Sequence, residues 1–337
     1  MILVTGGLGF IGAHTTAALL ENNKKVLIVD DLSNTSKKVL RGIERATGKK
    51  PSFVELDLKN KSEVTQLFKN HNIQGIIHFA AFKAVGESVH KPIEYYENNT
   101  VPLLNLLLEI KKSSWKIPFI FSSSCTVYGE ANKLPITEEE AIKPAQSPYG
   151  NTKQIGEEIL LDATQALKNL NVISLRYFNP IGAHPSNEIG ELPLGTPQNL
   201  VPFITQTAIG LHKQLTVFGN DYPTSDGTCI RDYIHVVDLA KAHIAALERL
   251  QNKSSDHLYE VFNLGTGSGR SVLEVIKSFE KVSGQKLNYI FGPRRVGDVV
   301  AAYADTQKAE KVLGWKAKQT LDKAIASAWA WEQKIRS

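Results

Sequence analysis

Met1 to Val4 form a short apolar run that leads directly into Thr5-Gly6-Gly7-Leu8-Gly9-Phe10-Ile11-Gly12, and an apolar stretch of helical length follows. Glycines in that pattern permit a tight turn and a close approach of the backbone to another group. The segment therefore predicts a strand, a glycine turn and a helix whose bare N-terminus, framed by Gly6, Gly9, Phe10, Ile11 and Gly12, suits a pyrophosphate. The alternation continues downstream. Apolar runs at Lys25–Val29, Phe53–Leu56, Gly75–Phe79, Pro118–Ser122 and Val172–Arg176 join Ile2–Thr5 as candidate strands. Candidate helices fall at Phe10–Glu21, Lys61–Lys69, Thr100–Lys112 and Pro148–Leu167. Strands separated by amphipathic helices predict an α/β fold, a doubly wound parallel sheet of the Rossmann type that binds its ligand beyond the C-terminal strand ends.

After Asn179 the texture changes. Proline- and glycine-rich stretches at Asn179–Gly182, Glu191–Asn199 and Gly219–Gly227 read as long loops, and strand-helix character returns at Tyr233–Arg249 and Tyr259–Leu264. We therefore expect a dinucleotide domain over 1–178, rejoined by 232–264. A smaller mixed α/β lobe over 179–231 and 265–337 is expected to bind substrate.

Composition closes off other classes. The 39 basic and 34 acidic residues are scattered, giving a net charge of +5 without a basic arm, so no nucleic-acid partner is expected. No apolar run is long enough to span a bilayer and the N-terminus resembles no targeting peptide, so no membrane association is expected. Cys125 and Cys229 lack zinc-site spacing, no HExxH pair occurs, and no metal is expected. Two unpaired thiols fit a reducing, cytoplasmic setting.

Three further segments carry chemistry. Asp30 closes the second predicted strand 18 residues after Gly12, where a carboxylate accepts hydrogen bonds from ribose hydroxyls and repels a 2′-phosphate. NAD is thus favoured over NADP. Tyr149 and Lys153 lie four apart at the start of a helix introduced by Ser147 and Pro148, so both face one cleft. A phenol titrates near pH ~10, and presenting it as phenolate at neutral pH requires about 4 kcal/mol of stabilisation, which a neighbouring ammonium and a cationic nicotinamide would supply. Isolated Tyr-x-x-x-Lys spacings are common on exposed helices; here the spacing follows a complete dinucleotide fingerprint. Ser122, Ser123 and Ser124 end a predicted buried strand at the ligand edge of the sheet.

Taken together, TGGxGxIG, Asp30-Asp31-Leu32-Ser33-Asn34, His78 through Ser88, the Ser122–Gly129 segment and SPYGxTK closely resemble the UDP-glucose 4-epimerases of the extended short-chain dehydrogenase/reductase superfamily. The likeness extends through Arg176–His184, Asn199–Pro202, Val217–Thr224, Arg231–Val236 and Pro293–Asp298. The resemblance implies that Asp30, Asp31, Asn34, Asp57, Leu58, Phe79, Lys83, Asn98 and Phe178 contact NAD beside the glycine turn. It implies a catalytic set of Ser124, Tyr149 and Lys153, which also touches NAD through Tyr149 and Lys153. It further implies that Lys83, Asn179, Asn199, Leu200, Phe218, Arg231, Arg295 and Asp298 hold the UDP-hexose, with Ala302 as a gate beside the sugar's C2 substituent. A small gate implies activity on UDP-GlcNAc and UDP-GalNAc as well as UDP-glucose and UDP-galactose. The family also implies a homodimer. Sugar-nucleotide 4,6-dehydratases carry Asp-Glu where Cys125-Thr126 stand here, and UDP-glucuronate decarboxylases carry Glu at the position of Thr126. A UDP-glucuronate 4-epimerase, or a non-catalytic NAD sensor, remains an alternative.

Overall fold

The computed structural model describes residues 1–252, 258–295 and 298–337. Thirteen strands appear in these segments: β1 (Ile2–Thr5), β2 (Val26–Asp30), β3 (Ser52–Glu55), β4 (Gly75–His78), β5 (Ile117–Ser124), β6 (Leu170–Tyr177), β7 (Asn179–Ile181), β8 (Leu215–Phe218), β9 (Ile230–His235), β10 (Tyr259–Leu264), β11 (Gly269–Ser271), β12 (Tyr289–Gly292) and β13 (Ala301–Ala302). The α-helices are α1 (Phe10–Glu21), α2 (Lys37–Thr47), α3 (Lys61–Asn70), α4 (Val85–His90), α5 (Pro92–Lys112), α6 (Pro148–Ala166), α7 (Leu200–Ala208), α8 (Val236–Asn252), α9 (Val272–Ser283) and α10 (Leu321–Arg336).

Seven strands form one parallel sheet in the order β3-β2-β1-β4-β5-β6-β10. Strand order reverses between β1 and β4, which opens the crevice where a doubly wound sheet takes its ligand. Alternating side chains serve the two faces: Ile2, Val4, Ile28, Ile77 and Ile120 enter one core, while Leu3, Leu27, Ile76 and Phe119 enter the other. Burying each such side chain contributes about 1.5–3 kcal/mol, which explains why these strands read as continuous apolar runs. Helix α1 is buried from Gly12 through Leu20 because it lies between the sheet and α8.

Beyond Asn179 the strands pair among themselves. β9 takes β7 and β13 as parallel partners and β11 as an antiparallel one, and β8 pairs with β12. Ile204, Val217, Phe279, Ile325 and Trp329 form a separate apolar core there.

Sequence and structure part company at several helices, α4, α9 and α10 being unanticipated and α5, α2 and α7 the most informative. Helix α5 begins at Pro92, well before Thr100; its opening turns, Glu94 to Asn99, are largely polar, and Pro102 lies inside it. Proline at the first position costs nothing, since its missing N–H has no partner in the first turn. Helix α2 escapes the apolar pattern because only Gly42 and Ile43 of it are buried. Helix α7 follows a stretch that reads as loop, and Asn199 precedes it.

Four histidines lie inside this fold. Burial holds His14 and His78 down to about 3, and His235 and His243 down to about 4. An unfolded histidine takes a proton near pH 6.5, so between pH 6.5 and about 4 the unfolded chain binds more protons than the native one. Stability is therefore lost as pH falls through that window, by up to ~1.4 kcal/mol per histidine per pH unit. The carboxyls of buried Asp30 and Asp232 and of half-buried Glu138 are pushed up by desolvation and act in the opposite sense as pH falls through their raised values. Thermal melting should show a clear drop in Tm from pH 7 to pH 5; an unchanged Tm across that range contradicts this account.

Candidate active site

The glycine turn lies at the C-terminal edge of β1. Gly6 adopts φ +64°, its N–H donates to the Val29 carbonyl at 2.8 Å, and its own carbonyl receives the Gly9 N–H at 3.1 Å. A Cβ on Gly12 would stand 2.3 Å from the Gly6 oxygen, and one on Gly6 2.7 Å from the Ala80 nitrogen. No side chain caps α1 and no acidic residue occupies its first turn. The amides of Phe10, Ile11 and Gly12 thus meet a ligand with the positive end of the helix behind them. That donor set fits the pyrophosphate of NAD.

Asp30, at the end of β2, is 6% exposed. Its Oδ2 accepts the Leu8 N–H at 3.1 Å, and its Oδ1 accepts the Leu32 N–H and the Thr35 hydroxyl, both at 3.0 Å. Burial raises its pKa, against the pull of the Leu32 and Leu8 N–H groups. Three of its roughly four acceptor positions are engaged, which leaves one for a ribose hydroxyl. The carboxylate therefore also clamps the glycine turn to β2, a role the sequence does not reveal.

The other residues expected to contact NAD come from separate segments of the chain. Asp31 accepts from Ser33 and Asp57 from the Lys59 N–H; both acids and Asn34 are exposed, whereas Leu58 is buried. Phe79 follows β4 and packs its ring 4.9 Å from that of His243. Asn98 donates to Asn99, and Phe178 is buried with its N–H on the Leu264 carbonyl.

The residues expected to be catalytic converge from β5 and α6. The Ser147 hydroxyl caps α6 by accepting the Gly150 N–H at 3.1 Å, and Pro148 opens the helix, so Tyr149 lies in its first turn and Lys153 one turn on. Lys153 is 4% exposed, and its Nζ donates to the Ser122 carbonyl at 2.7 Å. That Nζ stands 5.9 Å from the Tyr149 ring centroid. The neighbouring Ser124 hydroxyl favours the ionised phenol and so lowers the tyrosine's pKa, yet burial dominates and pushes it up to about 12. Burial likewise pulls Lys153 down to about 8, with Glu157 opposing. The sequence predicts a lysine that acidifies the tyrosine; in the protein alone, desolvation outweighs that help and the phenol stays protonated at neutral pH.

On the far side, Asp298 gathers two arginines. Its Oδ1 lies 3.3 Å from an Arg231 Nη and its Oδ2 2.9 Å from Arg295 Nε. The Arg295 guanidinium sits 5.0 Å from the Phe218 ring centroid, so a cationic and an aromatic surface adjoin. Val296 and Gly297, in the same motif, lie outside the described residues. Ala302 in β13 pairs with Arg231 and packs on the cluster of Val127, Tyr128, Ile136 and Phe178, beside Cys125. Asn179 starts β7, and Leu200 starts α7. Glu191 receives the Asn199 amide at 2.6 Å and Lys83 Nζ at 3.3 Å, linking a residue expected at NAD to one expected at UDP. Glu191 is missing from the sequence reading, as is Asn99, which donates to the Thr152 hydroxyl at 2.9 Å and accepts the Phe82 N–H at 2.8 Å. Neither lies at a helical spacing from a catalytic residue. Among the described residues, no group of three or more His, Cys, Asp or Glu is placed to hold a metal.

Residues 3–328 match the family model described as GDP-mannose 4,6 dehydratase. The chain thus belongs to the extended short-chain dehydrogenase/reductases that the parallel sheet and the Ser-Tyr-Lys set define. UDP-glucose 4-epimerase of Bacillus subtilis is 48% identical over 98% of this chain and 96% of its own. The Bifidobacterium longum UDP-glucose 4-epimerase, solved in complex with NAD+ and UDP, superposes with a TM-score of 0.94 at 47% identity, covering 99% and 98% of the two chains. A UDP-Glc/GlcNAc 4-epimerase from Campylobacter jejuni gives a TM-score of 0.84 at 36% identity over 99% of each chain. Within the superfamily, the chain belongs to the UDP-glucose 4-epimerases.

Proposed function

We propose that this chain interconverts UDP-glucose and UDP-galactose by transient oxidation at C4. The observation that carries the reading is the meeting of Ser124, Tyr149 and Lys153 at the sheet edge that also holds the glycine cradle. NAD held by the glycine cradle and Asp30 would supply the hydride acceptor and a positive charge beside the phenol. Tyr149 Oη takes the proton of the C4 hydroxyl and gives it back, Ser124 relays it, and Lys153 supports the phenolate from its seat on the Ser122 carbonyl. Arg231, Arg295 and Phe218 hold the diphosphate and uridine, so the nucleotide stays anchored while the 4-keto sugar turns over. Purified protein given UDP-galactose should form UDP-glucose without net redox change; no conversion of any UDP-hexose contradicts the reading.

Dehydratase chemistry needs an acid and a base at positions 125 and 126, and Cys125 and Thr126 supply neither.

The small Ala302, next to Phe178 and Val127, supports acceptance of a C2 acetamido group, as does the likeness to the UDP-Glc/GlcNAc 4-epimerase. Ala302→Tyr should suppress turnover of UDP-GalNAc at least tenfold while leaving UDP-galactose within about threefold, the scale that a steric mismatch in a pocket produces. Equal loss on both substrates would remove the gate. We read 1–178 with 232–264 as the NAD unit and the remainder as the substrate lobe. We also read the chain as a cytoplasmic homodimer: exposed Leu104 and Leu108 on α5 and Leu161 on the adjoining α6 support pairing of two copies through those helices. A sizing measurement tests that reading. No helix among the described residues is long and apolar enough to cross a membrane.

A further inference from the structure

Glu157 lies one helical turn beyond Lys153 on α6 and is 5% exposed, deep beneath the reacting groups. Its Oε1 accepts the Ser123 hydroxyl at 2.5 Å and Arg176 Nε at 2.9 Å, and its Oε2 accepts an Arg176 Nη at 2.5 Å. Arg176, on β6, is 4% exposed and stands 4.8 Å from the Tyr128 ring centroid. The Tyr128 hydroxyl in turn donates to Asn263 Oδ1 at 2.7 Å. One carboxylate therefore joins the helix of Tyr149 and Lys153, the strand of Ser122 and Ser124, and the turn of Cys125–Tyr128. A buried ion pair is a poor device for stability alone, because well-packed apolar residues of equal volume often serve as well or better. Its placement one turn from Lys153 and in contact with Ser123, next to Ser124, calls for another reason.

We propose that Glu157 is a positioning residue for the reaction: through Ser123 it sets the strand end that carries Ser124, and it is the counter-charge for the Lys153 ammonium. This inference rests on the epimerase reading above. The groups facing Lys153 are Tyr149 and Glu157 from its own helix, the Ser122 carbonyl and Phe121 ring from β5, and neutral His78 from β4. Arg176 from β6 stands behind Glu157. Glu157 is the anion in this set, and it raises the pKa of Lys153 against burial.

The test uses the NAD-loaded protein. In Glu157→Gln, and in the double variant Glu157→Gln/Arg176→Met that leaves no unpaired buried guanidinium, the Lys153 titration is read by NMR of 13Cε-lysine-labelled protein, assigned with Lys153→Met. The midpoint should fall by about one pH unit, and the alkaline limb of the kcat profile should move down with it. Glu157→Asp should restore most of the shift. A folded, NAD-containing double variant with wild-type midpoint and wild-type profile overturns the proposal. So does a loss of kcat that is uniform across pH with the midpoint unmoved. Wild-type protein that converts no UDP-hexose would instead overturn the epimerase reading, a separate outcome.

Discussion

Tyr149→Phe should fold, retain NAD and lose about three orders of magnitude in kcat with UDP-galactose. The phenol lies beside Ser124 and is the proposed acid-base group, and removing a positioned acid-base group costs about 10²–10⁴-fold. Its environment sharpens the expectation. Burial holds the phenol up to about 12, so forming the phenolate near pH 7 requires on the order of 7 kcal/mol from charge brought close to it. On the proposed reading Lys153, tied to the Ser122 carbonyl, would supply part of this and the cationic ring of bound NAD the remainder. The variant removes the group on which both charges act. NAD released on denaturation and a melting curve serve as controls; kcat within tenfold of wild type would mean that another group moves the proton.

Gly12→Val should abolish retention of NAD. The new Cβ meets the Gly6 carbonyl at 2.3 Å and the Gly7 Cα at 2.9 Å, both backbone atoms that no rotamer change can move aside. Relief requires shifting the start of α1 away from the turn, which misaligns the amides of Phe10, Ile11 and Gly12 that the pyrophosphate needs. Because α1 is buried along its length, the shift also costs stability. NAD content per protomer should fall below a tenth of wild type, with activity following it. A variant purified with its full complement of NAD contradicts the assigned cradle.

These outcomes also mark where the sequence was readable. β1, α1 and β4 were legible because both faces of the sheet are covered, leaving each strand an uninterrupted apolar run between glycine or charged stops. The Tyr149 and Lys153 pair was legible from its spacing and from the Ser147-Pro148 helix start. What surrounds that pair was not. Lys153 reaches the Ser122 carbonyl, a backbone group that any residue at 122 would offer. Asp30 spends most of its hydrogen-bonding capacity on Leu8, Leu32 and Thr35, partners set by the turn rather than by identity. Asp232, fully buried, binds Thr266, Gly267 and the Ala304 N–H, fixing the segment that carries Ala302. Glu157 and Arg176 are charged residues in a core, so apolar periodicity passes over them. Polar networks of this kind depend on tertiary geometry between distant segments, whereas periodicity records only which face of an element is dry.

The central claim is that one hydrogen leaves C4 as hydride, stays within the protein and returns to the same carbon. UDP-galactose bearing deuterium at C4, incubated with the purified protein in ordinary water, tests it most directly. The account predicts UDP-glucose with the deuterium retained at C4; UDP-glucose in which that deuterium has been exchanged for solvent hydrogen contradicts it.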